Sequence, residues 1–371
     1  MPTKYVTIKQ SEPSFSDYLW GRTSETLPSH QRPLPIKTYH LGTPEESITF
    51  EIQNSADIKR PHFLNMISSL IKLKSFSVIL FPLFFTMTKN NININHFDFF
   101  SLSVAVVASL FLFAGLNIRN DIFDHISGFD RVNIDAQLKP IRQGWITATQ
   151  ASRVSLLLIL TAAFLSLTIL FYQPKLRLLV LLALSLFSVG RFAKNNSYKQ
   201  QHLGEFILMV LVGPILVSGY QLAVGADIDF EVLSFGLLWG YIVFYLIQVN
   251  NFSHLMTSSQ AGIQNTMTKL GFDRSQKFLL IAWTFFILFF SFFQFFYQSA
   301  FRLVLCFVFL ILASVPLYKK IINIKSPMGS GLQLVRQTAH RVFVMMMMIY
   351  VGSFFIEKSI QNMKFWFADG F

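Results

Sequence analysis

Three aspartates stand close together in the segment NDIFDHISGFD, which runs from Asn120 to Asp130. The segment begins three residues after the apolar run SLSVAVVASLFLFAGL, so these acids lie at the end of a stretch of the kind that crosses membranes. Acids near membrane depth are costly and usually mark a functional site. On a helix that continues through this segment, Asn117, Asp121 and Asp124 share one face, with Asn120 beside them.

The spacing of the acids suggests a cation site. Gly128 ends the predicted helix, which places Asp130 just beyond it. Clustered carboxylates repel one another unless a cation neutralises them, and Mg²⁺ binds one or two carboxylates while substrate phosphates complete its shell. Asp121, Asp124 and Asp130 are therefore candidate metal ligands. A solvated, charged helix end that helps to set membrane topology is the alternative that the spacing leaves open.

A basic segment follows the acids. The sequence LKPIRQGWIT adds Lys139 and Arg142 to the same loop. Carboxylates for a metal together with nearby cations are what a diphosphate group requires. The alternative is that both residues only reflect the excess of basic side chains in cytoplasmic loops.

The composition defines the elements that must position these residues. The chain has 371 residues, of which 53% are hydrophobic and 13% charged, and its mean hydropathy is +0.48. A soluble domain has about 25% charged residues, so we expect an all-α membrane protein. Nine apolar stretches are close to the roughly 20 residues that a spanning helix needs. They lie at about 64–88, 98–117, 152–172, 175–193, 205–224, 230–249, 277–297, 299–318 and 337–356.

The distribution of Lys and Arg predicts the orientation. These residues concentrate in the loops that follow the even-numbered helices, which places the N-terminus and the NDIFD segment in the cytoplasm. The net charge of +12 lies in the membrane part, because residues 1–62 have equal numbers of acids and bases. Membrane lipid rather than nucleic acid is therefore the predicted partner, and a bacterial inner membrane the predicted location. The single Cys306 excludes a disulfide framework within the chain.

Residues 1–62 differ from residues 63–371. They are polar and contain seven of the thirteen prolines. The run SITFEI (Ser47–Ile52) alternates like one strand, but the sequence shows no clear partner for it. We therefore predict a mostly irregular cytoplasmic extension, with a small docked cap as the alternative, and a separate nine-helix domain over 63–371.

The motifs resemble those of a known family. NDIFDHISGFD followed by LKPIRQGWIT is similar to the first Asp-rich motif and the basic loop of the UbiA superfamily of intramembrane prenyltransferases. The pattern is most similar to the 1,4-dihydroxy-2-naphthoate polyprenyltransferase branch. The segment Tyr198–Leu222 resembles the start of that branch's helix 5, and Val249–Gly271 occupies the place of the second Asp-rich motif. The resemblance extends from about Lys72 to Ile356.

The resemblance implies a bundle of nine helices around a central cavity, in which Mg²⁺ holds a prenyl diphosphate. The diphosphate leaves, and a small aromatic acceptor of the quinone-precursor type captures the allylic cation. Asp121, Asp124 and Glu205 are then the implied catalytic residues, although Glu205 also suits a helix N-terminus. The implied substrate-binding residues are Asn117, Asn120, Lys139, Arg142, Lys194, Tyr198, Asn250 and His254.

The sequence departs from the family pattern at the second motif. His254 and Ser258 occupy the two positions of the usual acids, and no Asp or Glu lies between Phe252 and Phe272. The usual Arg-Pro pair near the start of helix 1 reads Lys74-Ser75. His254 could bind a metal or a diphosphate, or be an ordinary polar loop residue. A terpene cyclase, a specialised-metabolite prenyltransferase and a non-catalytic isoprenoid-binding paralogue therefore stay open as alternatives.

Overall fold

The computed structural model describes residues 4–90, 98–133, 139–177, 179–180, 183–184, 202–328 and 331–368. Helices account for most of them. Those of the membrane part are α2 (Phe63–Ile71), α3 (Ser77–Lys89), α4 (Phe99–Ile126), α5 (Phe129–Val132), α6 (Ala148–Tyr172), α7 (His202–Val210), α8 (Leu216–Ala223), α9 (Phe230–Ser253), α10 (Leu255–Gln260), α11 (Thr266–Tyr297), α12 (Ala300–Asn323) and α13 (Gly331–Ala368).

The helices indicate an integral membrane protein. Among the described residues, seven spans are long and apolar enough to cross a membrane, one of them combining α7 and α8. An eighth can form from α2 and the segment Leu73–Lys89, which meet at a bend of 49°. These eight coincide with eight of the nine predicted stretches. The remaining one, at 175–193, lies largely outside the described residues.

The prediction that the N-terminal residues are mostly irregular is wrong. They form a three-stranded antiparallel sheet of order β1-β3-β2, with β1 at Lys4–Lys9, β2 at Gln31–Tyr39 and β3 at Ser47–Asn54. The central strand contains SITFEI, so this run pairs on both sides. The prolines that argued against a sheet, Pro33 and Pro35, lie in edge strand β2, where a missing N–H donor is tolerated.

This N-terminal cap (residues 4–54) has an apolar core of its own. Alternate residues of β3, namely Ile48, Phe50 and Ile52, are buried on one face of the sheet. The short helix α1 (Ser14–Trp20) covers that face with Tyr18 and Leu19. The docked cap considered above is therefore what the structure contains.

Helix α4 continues beyond the apolar run, as the spacing of the acids predicts. It spans 28 residues and includes both Asp121 and Asp124. Gly128 follows with φ of 82°, a left-handed conformation that favours glycine and ends the helix. Helix α6 packs along α4 and begins with a capping box between Thr147 and Gln150, so both ends of the intervening loop are held by a helix.

The main apolar core joins α3, α9, α11, α12 and α13. Its largest fully buried side chains include Trp239, Trp283 and Phe286. Helix α9 is mostly buried and lies centrally, in contact with α7, α8, α11 and α13. Glycines without side chains let the backbone of α7 and of the segment after it lie close to α9. A Cβ on Gly240 would overlap the carbonyl oxygen of Met209, and one on Gly213 would lie 2.5 Å from the oxygen of Gly236.

We expect Gly240→Ala to destabilise the bundle by about 1–3 kcal/mol, because the added methyl group meets backbone that cannot move aside. The midpoint of thermal unfolding in detergent should fall. Gly219→Ala is the matched control, since its Cβ would meet only Leu179 Cδ2, at 3.5 Å. Equal midpoints for the two variants would contradict the close packing of α7 on α9.

Candidate functional site

The three aspartates lie around the end of α4. Asp121 and Asp130 are each 1% exposed, while Asp124 is partly buried. Gly128 turns the chain after α4, and the short helix α5 carries Asp130 back beside the other two acids. The fold therefore brings the three candidate metal ligands together at the end of α4.

One ammonium group lies among all three carboxylates. Lys139 Nζ lies 3.2 Å from Asp121 Oδ1, 2.8 Å from Asp124 Oδ2 and 2.7 Å from Asp130 Oδ1. Burial disfavours the charged lysine, but the three carboxylates outweigh burial and raise its pKa above the ordinary value. The predicted residue Lys139 therefore lies at the centre of the acidic cluster.

The pKa of the Asp130 carboxyl differs from that of an exposed acid. Its burial, opposed by Lys139 and reinforced by the neighbouring Asp124, raises its pKa to about 7. One lysine shared by three acids does not neutralise all of them.

A second lysine, which the sequence analysis did not identify, also contacts the cluster. Lys72 Nζ lies 2.6 Å from Asp121 Oδ1. Lys72 has φ of 55°, and it lies at the bend between α2 and the 3-10 turn Leu73–Phe76. By contrast, Lys74, at the position of the family's arginine, is exposed. Left-handed backbone at a non-glycine residue is costly and clusters at functional sites, but no sequence pattern indicates it here.

Two predicted binding residues make contacts with backbone groups. Arg142 Nη1 donates to the carbonyl oxygens of Asp130 and Asn133, and the second distance is 2.7 Å. Asn117 Nδ2 donates to Ile71 O at 3.1 Å and to Ser75 Oγ at 3.2 Å. The bonds of Arg142 hold the loop that follows α4, and those of Asn117 hold the bend that follows α2. Asn120 is partly buried on α4.

The second loop, between α9 and α11, lies next to the first. The ring of His254 packs edge-on against Phe129 of α5, with ring centroids 5.6 Å apart. Its Nε2 lies 2.7 Å from Arg336 Nη1 of α13. Asn250 is partly buried one turn before His254, and Ser258 is 3% exposed. Arg336 was not predicted, because only the tertiary fold brings α13 to this loop.

Glu205 is completely buried between three helices. Asn251 Nδ2 of α9 donates to its Oε1 at 2.7 Å, and Thr266 Oγ1 of α11 donates to its Oε2. These bonds join the start of α7 to both ends of the second loop. Lys194 and Tyr198, predicted to lie in the preceding segment, are outside the described residues.

The acidic cluster has the donor atoms that Mg²⁺ prefers. Within the described residues, no hydrogen-bond donor reaches the buried oxygens Asp121 Oδ2 and Asp130 Oδ2. No group of three or more His, Cys, Asp or Glu side chains in the same part of the chain is arranged to hold a metal ion. Since Mg²⁺ commonly takes two carboxylates and completes its shell with phosphate oxygens, the residues present fit this ion when a phosphate ligand accompanies it.

Proteins of known structure share the fold of this chain. A solved structure of digeranylgeranylglyceryl phosphate synthase is 17% identical, with a TM-score of 0.52 over 78% of this chain and 98% of that one. A UbiA homolog from Archaeoglobus fulgidus bound to GPP and Mg²⁺ is 14% identical, with a TM-score of 0.53 over 78% and 99%. One from Aeropyrum pernix K1 is 13% identical, with a TM-score of 0.51 over 81% and 100%.

At these identities the solved structures establish a shared fold and no more. No curated protein sequence matches the chain. The family model of the UbiA prenyltransferases matches residues 80–330, which includes α4, the acidic cluster and the second loop. On this match, together with the shared membrane fold, the chain belongs to the UbiA prenyltransferase family.

Proposed function

We propose that this protein transfers an isoprenyl group from a prenyl diphosphate to a small aromatic acceptor of the quinone-precursor type. The observation that carries the proposal is the convergence of Asp121, Asp124 and Asp130 on one ammonium group at the end of a membrane helix. Buried acids at this depth are retained only where they have a partner or a function. The family and the end of the bundle that carries Asp121, Asp124 and Asp130, here called the acidic mouth, together favour diphosphate chemistry.

The first loop would bind the diphosphate. Asp121, Asp124 and Asp130 would hold Mg²⁺, which when bound neutralises the negative charge that grows on the departing diphosphate. Lys139 and Lys72 would place positive charge beside the same group, and Arg142 would keep Asp130 in position through its backbone bonds. Asn117 and Asn120 would complete the diphosphate-binding residues of the first loop. Mg²⁺ in the GPP-bound Archaeoglobus fulgidus homolog supports the choice of ion.

The second loop would contact the diphosphate without acids. Arg336 is permanently charged, and its contact with His254 places that charge next to α5. We propose that Arg336, His254 and Asn250 bind the diphosphate directly, in place of a second carboxylate-bound ion. Guanidinium groups suit this role because they donate paired hydrogen bonds to phosphate oxygens.

Arg336→Gln should raise the KM for geranyl diphosphate by about tenfold or more, since a hydrogen bond from a charged group contributes roughly 1.5–3 kcal/mol. Pyrophosphate release at varied substrate concentration measures this change. Arg341→Gln is the matched control, because Arg341 lies on the same helix and is exposed. Similar KM values for the two variants would remove Arg336 from the site.

The acceptor would bind deeper in the bundle. Glu205 is the proposed catalytic residue on that side, and Lys194 and Tyr198 are proposed to bind the acceptor or the diphosphate. The apolar helices would hold the prenyl tail and exclude water, which would otherwise capture the carbocation. We place the mouth on the cytoplasmic side of a bacterial inner membrane, where lipid surrounds the bundle.

Acceptor-dependent release of pyrophosphate tests this function. Purified protein in lipid is incubated with prenyl diphosphates of several lengths and Mg²⁺, with and without 1,4-dihydroxy-2-naphthoate and related aromatic acids. A prenylated aromatic product supports the proposal. Release without any acceptor would instead indicate a terpene cyclase, and absence of release at every chain length would indicate an isoprenoid-binding protein.

A further inference from the structure

We infer that the N-terminal cap positions the acidic mouth, and that Glu46 is a positioning residue that acts through Arg131. The family match begins at residue 80, so the cap precedes it. The catalytic consequence of this inference rests on the proposed function, whereas the structural part does not. The cap contacts the end of α4, helix α5 and the segment that leads into α6, which together carry the acids and Lys139.

A buried ion pair connects the cap to α5. Glu46 Oε1 lies 2.7 Å from Arg131 Nη2, and the two side chains are only 9% and 5% exposed. The other oxygen of Glu46 accepts from the N–H of Gly42 at 3.2 Å, so the carboxylate is fixed within the β2–β3 turn. Arg131 directly follows Asp130. The ion pair of Arg131 therefore restrains the backbone that carries Asp130.

Two hydrogen bonds connect helix α1 to both sides of the loop. His125 Nε2 lies 3.1 Å from the carbonyl oxygen of Leu19 in a fully buried contact. Thr149 Oγ1 donates to the carbonyl oxygen of Trp20 at 2.9 Å. His125 lies in the last turn of α4 and Thr149 in the first turn of α6. Successive residues of the cap thus join the two helices that bracket the loop.

Two leucines of the cap pack on the glycines of the loop. Leu41 Cδ1 fills the space where a Cβ on Gly128 would lie, and Leu34 Cδ2 is 2.6 Å from the corresponding position at Gly144. Both glycines have positive φ, of 82° and 69°. These are the points where the loop could most easily adopt another conformation, because glycine permits many backbone states. The cap covers both.

The ion pair also controls the charge next to the cluster. Without Glu46, the guanidinium of Arg131 would lose its buried partner, and the nearest acid along the chain is Asp130. A buried charge whose partner is removed is strongly unfavourable, whereas removal of both charges is much less so. Arg131 would then compete with Lys139 for Asp130. Glu46 thus keeps the Asp130–Lys139 contact intact.

The test compares three variants of the full chain with the unaltered protein. Glu46→Gln removes the partner of Arg131, and Glu46→Gln with Arg131→Gln removes both charges. Glu51→Gln is the control, because Glu51 lies in β3, five residues after Glu46, and accepts from Gln53 inside the cap. Hydrogen exchange is followed in peptides covering residues 124–133 and 139–149, and pyrophosphate release from geranyl diphosphate gives KM and kcat.

Glu46→Gln should speed exchange in both peptides and raise the KM for geranyl diphosphate about tenfold, with kcat changed less than about threefold. In the double variant, Arg131→Gln should bring the KM most of the way back to that of the unaltered protein. Loss of a purely structural contact would not be reversed in this way. Leu41→Ala provides an uncharged variant if Glu46→Gln does not fold, and it should speed exchange around Gly128.

Two results would overturn the inference: unchanged exchange in both Glu46→Gln and Leu41→Ala, or a double variant whose KM is no better than that of Glu46→Gln. Failure of the proposed function is distinguishable. If the unaltered protein releases no pyrophosphate while Glu46→Gln still speeds exchange in both peptides, the cap positions the loop but the proposed reaction is wrong.

Discussion

Asp121→Asn and Asp124→Asn should each lower the rate of pyrophosphate release from geranyl diphosphate at least about a hundredfold, equivalent to about 2.7 kcal/mol. Asparagine keeps the size of the side chain but removes the charge that a hard cation requires. The second loop has no acid between Phe252 and Phe272, so the first loop would carry the metal alone. Initial rates at saturating geranyl diphosphate and aromatic acceptor measure the effect.

Asp227→Asn is the matched control for these variants. Asp227 is exposed and pairs with Lys175 near the end of the bundle where α4 begins, far from the acidic mouth. Its replacement should leave the rate within about twofold, since exposed ion pairs contribute little. Undiminished release in both first-loop variants would contradict a diphosphate site at the acidic mouth.

Lys139→Met should destabilise the folded protein by about 3–5 kcal/mol, because three carboxylates lose the cation that they share. Asp121 would keep Lys72, but the almost completely buried Asp130 would lose its ammonium partner. The midpoint of thermal unfolding in detergent measures the loss. Mg²⁺ should raise the midpoint of this variant more than that of the unaltered protein, since the ion can replace the ammonium group among the carboxylates.

Lys175→Met removes a lysine from an exposed pair and should change the midpoint little. If Lys139→Met unfolds at the same temperature as this control, with or without Mg²⁺, then the acids do not depend on Lys139. That result would show that the three carboxylates are hydrated rather than paired with Lys139.

The acidic cluster could be predicted from sequence because its main features are local. Asp121 and Asp124 are fixed by the period of one helix, and Gly128 marks the helix end. Lys72 and Arg336 could not be predicted. Their contacts depend on a bend between two helix segments and on the packing of α13 against the second loop, which leave no pattern at short range.

The cap was underestimated for a similar reason. Only β3 has a clear alternation, while β2 contains prolines and β1 is short. This sheet is stabilised by pairing between distant segments and by the side chains of α1. The sequence of a single strand indicates neither. Its contacts with the loop involve a polar pair, Glu46 and Arg131, that sequence reasoning would assign to the surface.

Pyrophosphate release from geranyl diphosphate by the purified full chain in lipid nanodiscs tests the central claim most directly. With an aromatic acceptor and Mg²⁺ present, the protein should release pyrophosphate and should lose this activity with a chelator, and Asp121→Asn should abolish most of it. Absence of Mg²⁺-dependent release from any prenyl diphosphate, under conditions where the protein remains folded, would contradict the assignment of the acidic mouth as a diphosphate site.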